Sequence, residues 1–297
     1  MKTVHAIVLA LAVTSSWSSA SAQPPRAGPT AEQRAAQERR LQEELRAPRP
    51  IGAGNSLWID ELTWMEVRDA MAAGKTTAII STGGIEQNGP YLSTGKHNVI
   101  LRGACEAIAV RLGNALCAPV IAFVPEGDIE PQSGHMRYPG TISLKETTFR
   151  MLLDDVASSL QAHGFAEVIL IGDSGGNQTG LEATAAALNA RWKDKGVARY
   201  IPEFYQYDKM VAYMNKELGV VEPSDDGFHD SYWITALMMV VDPSTVRYDQ
   251  RVAARKTTIN GLDIAPKEAT IALGRKLMTY RAEQTVRAIQ AAREAAK

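Results

Sequence analysis

The sequence predicts an α/β domain, a mainly parallel sheet covered on both faces by helices. Three observations carry that reading. Short β-branched and apolar runs lie at Thr76–Thr82, Leu116–Val124, Glu167–Ile171 and Arg199–Tyr205. Helix-length segments separate them, and polar, Gly-rich loops follow where the runs end. The chain has 297 residues, 45% hydrophobic and 22% charged, with a formal net charge of -1. That balance excludes a disordered chain, a coiled coil and a polybasic nucleic-acid arm, so no nucleic-acid partner is expected. Two Cys are too few for a disulfide scaffold or a four-cysteine zinc site.

The elements follow in order. Lys2, the apolar run Ala6–Val13 and the closing Ala20-Ser21-Ala22 have the pattern of a secretory signal cut after Ala22. The apolar run is short of the roughly 20 residues a bilayer span needs, so the expectation is a secreted or periplasmic protein without a membrane span. Residues 23–55 read as a tether: Pro24, Pro25, Pro29, Pro48 and Pro50 bracket a segment rich in Glu, Gln, Arg and Ala, a solvated helix with little to bury. One folded domain is expected over residues 56–297. Thr63-Trp64-Met65-Glu66 is a capping box opening a helix that stops at Gly74. After the first strand, helical periodicity runs through Val99–Leu112 to Gly113. Ser143-Leu144-Lys145-Glu146 reads as a second capping box, opening a helix to His163-Gly164. A helix to about Trp192 follows the turn Gly172–Asn177, and two or three helices complete the chain. Cys105 and Cys117 fall on a helix and the next strand, as a disulfide or as two buried thiols.

In open α/β sheets ligands bind beyond the carboxyl ends of the strands. The loops Gly83–Asn98, Glu126–Leu144 and Gly172–Gly180 lie there, and His97 and His135 are on them. His163, at a helix end before Gly164, reads as a capping residue. Gly172-Asp173-Ser174-Gly175-Gly176 fits the hydrolase elbow Gly-x-Ser-x-Gly, which makes Ser174 a candidate nucleophile with His97 or His229 as base.

Glu61-Leu62-Thr63-Trp64, Gly84-Ile85-Glu86-Gln87-Asn88-Gly89-Pro90, Ser133-Gly134-His135, Tyr138-Pro139-Gly140-Thr141-Ile142-Ser143-Leu144, Gly175-Gly176-Asn177 and the later His229 stand in a specific order. Over roughly Trp58 to Val246 the chain thereby resembles the creatininase (creatinine amidohydrolase) family. The resemblance implies a three-layer αβα sandwich, hydrolysis of an amide bond in a cyclic or small linear substrate, divalent metal, often two ions, and a homo-oligomer. The departures fall on the metal ligands. Asn88 stands for the family's His, His97 for its metal-bridging Asp, Ser174 for a metal-binding His, and Gly176 for an acidic residue some members use. The late His-Ala-Gly-Glu motif is His229-Asp230-Ser231-Tyr232.

An imidazole at His97 cannot bridge two ions in the usual way, so a single ion is expected. Glu86, His97 and Asp173 would supply it with one nitrogen and two oxygens, as for zinc or manganese. His229 is then the expected general acid, with His135 a second catalytic candidate. Asn88, Ser174 and Asn177 are expected to bind a small-molecule substrate, an amide, cyclic amide or lactone; creatinine itself is not implied. The alternatives are a binding protein that has lost its activity and a metal-free Ser174 hydrolase.

Overall fold

The computed structural model describes residues 28–296, so the secretory signal lies outside the described residues. They form two compact units that divide between Pro48 and Arg49. The first holds helix α1 (Ala31–Arg46), opened by a capping box between Thr30 and Gln33 and burying none of its residues. The low apolar content of this helix gives it few side chains to bury.

The second unit opens with α2 (Trp64–Ala72), whose capping box at Thr63 and Glu66 is as the sequence predicts. There follow β1 (Thr77–Thr82), α3 (Lys96–Leu112), β2 (Ala115–Cys117), α4 (Glu146–Ala162) and β3 (Glu167–Gly172). Then come α5 (Gln178–Trp192), β4 (Val197–Tyr200), α6 (Tyr207–Lys216), α7 (Tyr232–Val241) and α8 (Tyr248–Ala254). The hairpin β5 (Thr258–Ile259) and β6 (Leu262–Asp263) precedes the long α9 (Lys267–Glu294). The main sheet has the order β2-β1-β3-β4 and every pairing in it is parallel.

Strand alternation sorts the core into layers. Ile79, Ile169 and Ile171 pack with Ile100, Leu101, Met210, Leu237 and Leu277, from α3, α6, α7 and α9. Ile80, Val168 and Leu170 face the other way, onto Phe149 and Leu153 of α4 and Leu181 and Leu188 of α5. The result is a three-layer αβα sandwich. In the thicker layer α9 crosses α7 closely, because Gly274 has no Cβ; one there would lie 2.1 Å from the Ala236 carbonyl oxygen.

Four expectations need correction. The second strand ends at Cys117 instead of Val124; beyond it Ile121 and Val124 form only isolated bridges. The fourth starts earlier and stops at Tyr200, since Pro202 has no N–H for the ladder and opens a 3-10 turn over Pro202–Tyr205. The capping box at Ser143 does not form. Lys145 is the N-cap of α4, while Ser143 Oγ accepts from Glu126 N at 2.9 Å and donates to Gly127 O at 2.7 Å, tying the loop after β2. Four α-helices, with a small hairpin, follow the last strand of the main sheet, where two or three were expected.

Cys105 and Cys117 are joined, which settles the alternative left by the sequence and pins α3 to β2. Both are fully buried. Closing a loop of 12 residues is worth about 3 kcal/mol through the entropy of the unfolded chain. Cys105→Ala/Cys117→Ala protein is therefore expected to lose about that much stability in urea titrations, with a slope at least as steep because its unfolded chain is less compact.

Candidate functional site

The carboxyl ends of β1 and β3, the loop after β2 and the segment before α7 enclose a pocket of about 860 Å³, within the usual range for small-molecule sites. Glu86, Lys96, Glu126, His135, Ser174 and His229 line it, with Tyr205, Tyr207 and Trp233 as an aromatic wall.

Glu86 is the hub. It is 2% exposed. Its Oε1 lies 2.8 Å from His97 Nε2, 3.2 Å from Lys96 Nζ and 3.9 Å from His229 Nδ1. Its Oε2 lies 3.2 Å from His135 Nε2. Burial by itself would raise the Glu86 pKa, but the His97 hydrogen bond and the charges of His97, Lys96 and His135 outweigh it and hold the carboxylate ionised.

Behind this hub runs a buried chain of charge. His97 Nδ1 lies 2.9 Å from Asp173 Oδ2, so both ring nitrogens face carboxylates. Burial opposes the imidazolium, yet the bonds to Asp173 and Glu86 raise its pKa above the ordinary 6.5. Asp173, fully buried, accepts from Arg281 Nη2 and from Tyr207 OH, the latter at 2.9 Å on Oδ1. Burial is again opposed, here chiefly by the Arg281 charge, and the Asp173 pKa falls to about 2. Arg281 itself donates through Nε to Phe204 O at 3.0 Å and lies over the Phe204 ring.

Glu126 faces this hub from the loop after β2. It is 5% exposed; Oε2 accepts from Ser174 Oγ at 3.3 Å and Oε1 has no hydrogen-bond partner. Burial and the neighbouring Glu86 charge push its pKa up to about 9. His229 sits in the left-handed region at φ 56, and its Nδ1 lies 3.0 Å from Gln87 O. As the donor to that carbonyl, Nδ1 carries the proton and Nε2 keeps the lone pair. Burial and Lys96 hold the His229 pKa below the ordinary 6.5. The His135 and His229 rings lie side by side, with centroids 4.6 Å apart.

The geometry offers a different ligand set from the expected Glu86, His97 and Asp173. His97 has no nitrogen free, and Asp173 has both oxygens committed to His97, Arg281 and Tyr207. One ligand atom from each of Glu86, His135 and His229 lies within 4.8 Å of the other two. One carboxylate and two imidazoles are the donor types of a mononuclear catalytic zinc site. The substrate-binding expectation holds a place in the pocket for Ser174 alone. Asn88 Nδ2 donates to Glu86 O at 2.9 Å and braces its own loop. Asn177, fully buried, donates to Thr82 O, Thr82 Oγ1 and Gly83 O, tying the loops after β1 and β3 together. Ser174 has ordinary extended backbone, φ -112 and ψ 149, and bonds a carboxylate and not an imidazole; a nucleophile elbow needs a strained turn and a nearby base. His163 is the C-cap of α4.

Sequence reasoning passes over Lys96, Glu126, Tyr207 and Arg281. Two of them leave a signal. Glu126 is the acid that opens the second site loop. Arg281 is a charge on a stripe otherwise made of Gly274, Leu277, Met278 and Thr285, the buried face of α9.

Fold and pocket define a three-layer αβα protein with a candidate one-metal site at the carboxyl ends of its parallel strands. The profile of the family Creatininase (creatinine amidohydrolase) matches residues 60–289. The chain belongs to the creatininase family, whose members are metal-dependent amidohydrolases. Creatinine amidohydrolase of Pseudomonas putida is 23% identical over 218 residues, 71% of this chain and 82% of that protein. A solved creatininase mutant of the Zn-Zn type is similar at a TM-score of 0.53 and 23% identity, covering 82% of this chain and 99% of its own. A manganese creatininase gives 0.54 and 24%, covering 81% and 99%. Creatininase structures thus carry zinc or manganese.

Proposed function

We propose that this chain is an exported hydrolase cleaving an amide, cyclic amide or lactone bond in a small polar substrate, with one divalent ion on Glu86, His135 and His229. The observation that carries this reading is that donor set, gathered inside the pocket. Zinc or manganese bound there would acidify a water and polarise the scissile carbonyl. The chain's own groups do the rest. Glu86 is kept ionised by His97 and Lys96, and Asp173 and Arg281 hold His97 in place behind it. Ser174 and Glu126, hydrogen-bonded to each other in the pocket, bind and orient the amide, with Glu126 placed to pass a proton to the departing nitrogen. Tyr205, Tyr207 and Trp233 narrow the pocket against water.

Elemental analysis of purified protein tests this directly. One zinc or manganese per chain is expected, falling below about a tenth in His135→Ala protein, because two remaining donors compete poorly with water. Wild-type protein that stays metal-free after incubation with either ion would leave the reading to a binding protein without activity.

Export is supported by the disulfide, a bond that persists in oxidising compartments. Among the described residues no helix is long and apolar enough to cross a membrane. N-terminal sequencing of protein recovered from periplasm or medium is expected to begin at Gln23; an intact Met1 would refute the processing.

A further inference from the structure

We infer that Lys96 is a built-in cation standing in for a second metal ion, so that the pocket accepts one ion and no more. The inference rests on the metal-site reading above. Lys96 is the first residue of α3, a helix without a side-chain cap, and it is 2% exposed. Lysine at a helix start normally keeps its ammonium in water, and the positive end of the helix dipole disfavours it there. Here it is followed directly by His97, so an ammonium and an imidazole crowd the wrong end of one helix. The carboxylates of Glu86 and Asp173 hold them, with Lys96 Nζ and His97 Nε2 both on Glu86 Oε1, at 3.2 and 2.8 Å.

That double occupancy has a consequence for metal. Glu86 Oε1 already holds both Lys96 Nζ and His97 Nε2, and Oε2, beside His135, is the oxygen left to serve an ion. A carboxylate shared by two ions, as a Zn-Zn centre requires of its bridging ligands, is not available. Glu126 offers one unpartnered oxygen, Oε1, and a single donor does not hold a second ion. Asn88 is turned to its own loop, and Ser174 is bonded to Glu126. A side chain at Gly176 would begin 2.2 Å from the Pro125 carbonyl oxygen. Among the described residues one group of three donors is present. Lys96 lines the pocket next to that group. Its charge is positioned to repel a further cation and to attract the oxygen of a bound carbonyl, the electrostatic work a second ion would do.

Equilibrium dialysis of the full-length protein against Zn²⁺, and separately Mn²⁺, tests the inference, with metal counted by elemental analysis and folding checked by near-ultraviolet circular dichroism. Wild-type protein is expected to take up one ion per chain even at saturating metal. Lys96→Met and Lys96→Gln should bind metal at least about 10-fold more tightly, because removing a nearby like charge lifts its repulsion of the ion. Lys96→Arg, which keeps the charge, should match wild type and guards against a misfolded Met or Gln variant. Two ions in wild type, or unchanged affinity in folded Met and Gln variants, would overturn the role of Lys96 and leave the hydrolase reading standing. No ion in wild type but one in Lys96→Met would overturn both the one-ion inference and the metal-hydrolase reading, since Lys96 would then exclude the first ion. No ion in any variant would overturn both.

Discussion

Asp173→Ala is expected to destabilise the domain by about 3–5 kcal/mol, the cost of leaving buried charge without its partner. Asp173 is fully buried and holds three donors at once: His97, Arg281 and Tyr207. Arg281 is 3% exposed and its Nη1 already has no hydrogen-bond partner, so it cannot turn to water when the carboxylate is removed. Urea unfolding of wild-type and Asp173→Ala protein measures this; a loss under about 1 kcal/mol would mean that water reaches Arg281 and His97 after all.

The same chain sets the pH limits of stability. The Asp173 pKa is depressed in the fold, to about 2 from an ordinary 3.8. Its contribution is therefore complete above about pH 4 and is lost as pH falls toward 2. The His97 pKa is raised above 6.5, so its contribution is complete below that value and is lost as pH climbs through its folded pKa. Melting temperature against pH should fall at both ends, and Asp173→Asn should flatten the acid limb.

Glu86→Gln is expected to abolish metal uptake and reduce turnover by about 1000-fold or more. It removes the anionic ligand, and the Lewis-acid contribution lost with the ion is several kcal/mol at 1.36 kcal/mol for each tenfold in rate. Metal analysis with single-turnover assays on a panel of small cyclic amides separates the two effects. A Gln variant that keeps its metal would place the ion on other residues.

Much of the scaffold was legible in the sequence because its signals are local. Thr63 and Glu66 close a capping box, Gly113 stops α3 with φ 75, and the apolar runs of β1 and β3 are buried along their whole length. The site was legible only as a list of loops. Which nitrogen of His97 faces which carboxylate depends on Arg281, which is 108 residues from Asp173 and arrives on α9. Spacing cannot convey that arrival, so Asp173 read as a metal ligand where the fold makes it the counter-ion of an arginine. His135 and His229 likewise meet only because the loop after β2 and the segment before α7 close over the same sheet edge.

The close approach of Gly176 to Pro125 bears on what this site can accept. A Cβ at position 176 would begin 2.2 Å from the Pro125 carbonyl oxygen, so a backbone carbonyl fills the space a side chain would need. No side chain fits at position 176 unless the Pro125 segment swings away, taking neighbouring Glu126 with it. Any residue larger than glycine at position 176 should therefore reshape the pocket through the Pro125 segment rather than simply add a group to it.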